Sequence, residues 1–115
     1  MLTHRKGKDV FEKKKFPPLS DVVVLDILKR CCTTTGTGCL TWTQHFKQRM
    51  DKRRIIISDV LNAFDMARIS KRPEWNEEFG EYNYFITGKD LEGIELTIKI
   101  AIAERDEMIT LITLY

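Results

Sequence analysis

The alternation of apolar with polar or small residues after Gly80 constrains this chain more than any other feature. Leu96, Ile98, Ile100 and Ile102 fall on one side of an extended backbone, and Thr97, Lys99, Ala101 and Ala103 fall on the other. The pattern predicts strands over residues 81–87, 94–103 and 108–115. A turn with two glycines at 88–93 and a polar turn at 105–107 would join them as an antiparallel meander.

Before Gly80 the period is helical. Ser20 is placed to cap a helix over residues 21–31, with Leu19 and Val24 at the two positions of a hydrophobic staple. Val24, Ile27, Leu28 and Cys31 would face the core, and the run CCTTTGTGC would end the helix, since Gly36 and Gly38 permit a turn. Thr41 and Gln44 match a capping box for a second helix ending near Arg54, with Trp42, Phe46 and Met50 as its apolar stripe. After the link Ile55, Ile56 and Ile57, Ser58 and Asp59 would start a third helix, with Val60, Leu61, Phe64 and Ala67 turned inward. Residues 69–80, with Pro73, Trp75 and Gly80, read as a loop. The expected fold is α+β, with N-terminal helices packed on one face of a C-terminal antiparallel β-meander. One domain over residues 19–115 would follow a basic, flexible tail over 1–18, closed by Pro17 and Pro18.

Composition excludes several classes. Apolar residues make up 43% and charged residues 31% of the 115, which fits one small globular, soluble domain. No apolar run approaches the ~20 residues of a membrane-spanning helix. The basic N-terminus lacks a following apolar segment, so no signal peptide is expected and the cytoplasm is favoured. The net charge of +2 conceals an asymmetry. Residues 45–72 carry eight Lys/Arg against three acids, whereas residues 73–115 carry three against ten. The basic middle suits a polyanion and the acidic end suits a basic partner.

Cys31, Cys32, Cys39 and His45 are four soft ligands within fifteen positions, but their spacing is poor for zinc. A buried Cys31 with Cys32 and Cys39 as free thiols is the better reading, and neither metal nor cofactor is expected. TTTGTGC lacks the strand and the further residues of a phosphate-binding loop.

The second helix carries the residues with chemistry. His45, Arg49 and Arg53 are four apart, so an imidazole and two guanidinium groups lie on one face. RNA is cut without metal when a base removes the 2′-hydroxyl proton and cations stabilise the phosphorane. In that chemistry His45 is the base and Arg49, Arg53 and Lys99 stabilise charge. Lys52 and Arg54 would hold the RNA backbone, and Tyr82 or Tyr84 would stack a base or donate a proton. A non-catalytic module that binds nucleic acid or protein through the basic helix 45–54 is the alternative.

From about residue 40 onward the chain resembles a family of small bacterial domains of uncharacterised function. The matching positions are Thr43, His45, Arg49, Met50, Arg53, Ser58, Val60, Gly88, Thr113 and Tyr115. Where that family usually has a glycine after the basic pair, this chain has Arg54–Ile55. The family is grouped with the barnase–EndoU–colicin–RelE class of ribonuclease toxins. The resemblance implies a RelE- or barnase-like fold and a toxin–antitoxin endoribonuclease acting on RNA. It also implies an antitoxin protein as partner. His45 and Arg49 are its first site residues, with Arg53, Lys99 and Thr113 behind them.

Overall fold

The computed structural model describes residues 16–33, 39–103 and 108–115. In chain order the elements are α1 (Asp21–Thr33), β1 (Leu40–Trp42), α2 (Gln44–Arg53), α3 (Ile57–Asp65), β2 (Arg68–Asn76), β3 (Glu81–Lys89), β4 (Glu95–Ala103) and β5 (Met108–Leu114). The strands form one five-stranded sheet in the order β1-β5-β4-β3-β2. β1 runs parallel to β5, and the other pairs are antiparallel.

The α+β class and the three-strand meander are as the alternation predicts, and two strands are additional. Residues 68–76 are not a loop: β2 pairs with β3, with register shifts between Ile69 and Lys71 and between Lys71 and Glu74. Pro73 fits at this irregular outer edge because it has no N–H to give a neighbouring strand. The second helix begins later than the Thr41–Gln44 box implies. Residues 40–42 are extended, and Thr43 is the true N-cap, its Oγ1 accepting from the Phe46 N–H at 3.1 Å. β1 is short, so its propensity signal was overwhelmed by the adjacent helical stripe. The expected turn at 105–107 and the tail over 1–15 lie outside the described residues. Phe16, counted with the tail, packs edge-on against Trp75 at 5.5 Å and Tyr82 at 5.7 Å.

Helices and inner sheet face share one core. Val24, Ile27, Leu28 and Cys31 of α1, Phe46 and Met50 of α2, and Val60, Ala63 and Phe64 of α3 bury against Tyr82, Tyr84, Ile86, Leu96, Ile98, Ile100, Ile109, Leu111 and Leu114. The Ser20 hydroxyl accepts from the Val23 N–H at 3.3 Å and caps α1. The Asp59 carboxylate is buried and starts α3, accepting from Ile56 N–H at 3.1 Å and from Leu91 N–H at 3.0 Å. This ties the helix to the β3–β4 turn. In β5 an extra residue interrupts the ladder: Lys99 pairs with Thr113 while Ile100 pairs with Leu111. The bulge lets Leu111 and Leu114 both face inward and Thr110 and Thr113 both face outward. Phe85 and Ala101 are also buried but stand outside the core cluster, on the outer face. Among the described residues, the buried apolar side chains of the helices belong to the core cluster on the other face.

Two backbone positions yield tests. A Cβ on Gly88 would lie 2.0 Å from the Ala63 carbonyl oxygen, so α3 packs on β3 only because that side chain is missing. Gly88→Ala should destabilise the domain by about 2–3 kcal/mol in urea unfolding. Arg54 caps α2 in the left-handed conformation, with φ 57° and ψ 41°. Glycine is the usual residue at such a helix end. Arg54→Gly should raise stability by about 0.5–1 kcal/mol, the relief of left-handed strain exceeding the entropy of the freer unfolded chain.

Candidate functional site

Thr43 is the pivot between β1 and α2. Its N–H donates to the Leu111 carbonyl at 3.0 Å, and its hydroxyl donates to the Ile112 carbonyl at 3.0 Å. β1 ends its pairing with β5 at Leu111, so beyond that point no strand among the described residues lies beside the outer edge of β5. The α2 side chains take over. Arg49 Nε donates to the Leu114 carbonyl at 3.0 Å, and Arg53 Nη1 donates to the Tyr115 carbonyl. Spacing of four along the helix thus matches successive positions along the strand end.

This lacing gathers several of the sequence-derived residues. Arg49 touches the backbone directly after Thr113, and Thr113 pairs across the ladder with Lys99. Lys99 is half-buried on the outer face. His45 is exposed, one turn before Arg49 on the same helical face. The two guanidinium groups point at carbonyl oxygens of the strand end, so their first role is to hold α2 and β5 together. Lys52 is exposed on α2. Arg54 lines a cleft of about 280 Å³ together with Arg53, Asp59, Asp90 and Glu92, whose acids make it an unfavourable place for phosphate.

Tyr82 and Tyr84 require correction. Both are core residues, 8% and 4% exposed. The Tyr84 hydroxyl accepts from the Leu19 N–H at 3.0 Å, and Tyr82 packs edge-on against Trp75 at 5.0 Å. Neither ring is open to a base. Their parity in β3 puts them under the helices, whereas Phe85 is on the outer side.

Cys39 also departs from expectation. It is joined to Cys31 in a disulfide that ties the end of α1 to the start of β1. Neither sulfur is then a nucleophile beside His45 or a metal ligand. Among the described residues no group of three or more His, Cys, Asp or Glu is arranged to hold a metal. Among them, too, no helix is long and apolar enough to cross a membrane.

Sequence reasoning missed an outer-face cleft of about 320 Å³, lined by Ser70, Lys71, Phe85, Thr97 and Tyr115. Lys71 Nζ lies 4.6 Å from the centre of the Phe85 ring and 2.8 Å from the Glu74 carboxylate. The hydrogen bond that Lys71 donates to Glu74 is the largest influence and raises its pKa above the ordinary lysine value; desolvation opposes this, and the negative charge of Glu74 adds to it. Lys71 therefore stays cationic at neutral pH. Alternation in β3 assigns Phe85 to this face. Lys71 was hidden because its strand was read as a loop.

Residues 42–115 match the family model described as Domain of unknown function (DUF4258). The chain belongs to this family. The match begins at Trp42, inside β1, and takes in α2, α3 and the whole of β2 to β5. α1 and the segment leading to Cys39 lie outside the DUF4258 match. No curated protein matches the chain, and no solved structure does.

The lacing makes a direct prediction. Arg49→Ala should lower stability by about 1–2 kcal/mol, because the Leu114 carbonyl loses a charged donor at a half-buried site. Urea unfolding measures this, and a midpoint equal to that of the parent would show that the contact contributes nothing.

Proposed function

We propose that this DUF4258 domain acts on RNA as a small endoribonuclease of the toxin–antitoxin type, allied to the barnase–EndoU–colicin–RelE class. The observation that supports it is the alignment of the His45, Arg49, Arg53 face of α2 with the end of β5, beside Thr113 and Lys99. Arg49 and Arg53 meet residues more than sixty positions away there, and His45, able to accept a proton, lies one turn earlier on the same helix face.

His45 accepts the 2′-hydroxyl proton as the 2′-oxygen bonds to phosphorus. The bond from phosphorus to the 5′-oxygen then breaks, and the leaving oxygen takes a proton from water. The products are a 2′,3′-cyclic phosphate and a 5′-hydroxyl. Lys99 faces the charge that develops on the phosphorane. Arg49 keeps further N–H donors on its fork while Nε is bonded to Leu114, and it both positions the edge and faces the phosphate. Arg53 positions Tyr115, Thr113 orients the substrate, and Lys52 meets the RNA backbone nearby. No step needs a metal. The protein would work in a bacterial cytoplasm under control of an antitoxin.

A non-catalytic RNA- or protein-binding module is the second reading. The engagement of both Arg49 and Arg53 with strand carbonyls favours it, since part of the stripe then serves the fold. One assay separates the two. Purified protein incubated with end-labelled RNA in EDTA should yield fragments ending in 2′,3′-cyclic phosphate, and His45→Ala should lower the rate by at least about a hundredfold. His45→Ala should unfold at the parent's midpoint, because the ring is exposed. Equal cleavage by this variant would remove the mechanism. Salt-sensitive binding without turnover in the parent would establish the second reading.

A further inference from the structure

The outer-face cleft adjoins the proposed site through the sheet itself. Thr113, Lys99, Phe85 and Lys71 form one cross-strand row over β5, β4, β3 and β2. Neighbouring strands are about 4.8 Å apart, so Lys99 stands one strand from the aromatic floor and one strand from Thr113. A base in the cleft above Phe85 would thus have its phosphate beside the strand that carries Lys99.

The cleft has the chemistry for such a base. At about 320 Å³ it has room for a single heterocycle. Tyr115 is 50% exposed and offers a ring face, while Phe85, 4% exposed, backs it at 6.4 Å between centroids and a 32° tilt. The Tyr115 backbone is held from both sides. Its N–H donates to the Thr97 carbonyl at 2.9 Å, and its carbonyl accepts from Arg53. The ring is therefore carried on a fixed strand end rather than on a free tail, which reduces the ordering needed on binding. Lys71 supplies donors at the rim, and its charge matches the phosphate chain entering the cleft. Ser70 Oγ and the Thr97 hydroxyl line the walls. The first donates to the Phe85 carbonyl at 3.2 Å and the second shares a hydrogen bond with Thr87 at 2.9 Å.

We propose that this cleft is a base-binding subsite that takes one nucleobase of a single-stranded RNA by stacking on Tyr115, with Lys71 at the rim and the adjoining phosphate at Lys99. It rests on the RNA reading above and names how that substrate is held. Stacking on a ring face with few fixed hydrogen-bond partners makes the subsite tolerant of base identity.

The test uses the full chain and a short 2′-O-methyl oligoribonucleotide carrying 2-aminopurine, which binds but cannot be cut. Stacking should quench the 2-aminopurine emission and saturate on titration. Tyr115→Ala should weaken binding roughly tenfold and abolish the quench, while Tyr115→Phe should retain both. Lys71→Met should weaken binding and flatten its salt dependence. Unfolding midpoints close to that of the parent verify that these exposed substitutions leave the fold intact. Equal binding by Tyr115→Ala, or equal affinity for a fully base-paired duplex, would overturn the subsite. Because the probe cannot be cleaved, loss of the nuclease reading does not produce these outcomes. Conversely, a parent that cuts RNA with a KM indifferent to Tyr115→Ala would keep the nuclease and remove the subsite.

Discussion

A strand edge without a neighbour must place its carbonyls somewhere, and β5 faces this problem past Leu111. Its partner β1 is only three residues long. Unpaired polar backbone is costly when buried and invites another chain when exposed. The solution is side-chain lacing: Thr43, Arg49 and Arg53 reach the carbonyls of Ile112, Leu114 and Tyr115 in turn. The helix that closes the edge is also the helix that carries His45. The orientation of the proposed site is therefore inherited from the repair of the edge, and α2 cannot rotate without releasing these bonds.

This double duty gives the arginines a different meaning from that of free surface charges. A guanidinium fork has several donors in a plane, so one can bind a carbonyl while others point outward. Lysine at the same positions would offer a point charge without that division. Lys99 and Lys71 occur instead mid-strand on the outer face, where a long stem can reach over neighbouring residues.

The inner core was legible because its signals were periodic. Val24, Ile27, Leu28 and Cys31 at helical spacing, and Leu96, Ile98 and Ile100 in alternation, all bury as their patterns require. Short or irregular pieces were not legible. Residues 40–42 extend because they pair with β5, a contact with residues nearly seventy positions away that no local pattern encodes. β2 carries Pro73 and two register shifts, which break the alternation that would reveal a strand. Of the site, the helical face of His45, Arg49 and Arg53 was readable from spacing. That the arginines end on strand carbonyls was not, since it depends on where α2 docks. Tyr82 and Tyr84 were misassigned for a simpler reason: tyrosine suits both a wet face and a core that supplies its hydroxyl with a partner, and only the sheet's orientation decides between them.

The extra residue in β5 carries an evolutionary corollary. Strands ordinarily tolerate a change of length at their ends, but here the spare position sits between two leucines that must both look inward. Losing Ile112 would keep both inward, because Leu111 and Thr113 already pair with Ile100 and Lys99, neighbours in β4, and would only remove the bulge. What the spare residue contributes is a carbonyl, the acceptor for the Thr43 hydroxyl at the start of α2. Related chains that lack the extra residue are expected to fasten the start of α2 to the sheet by a different contact.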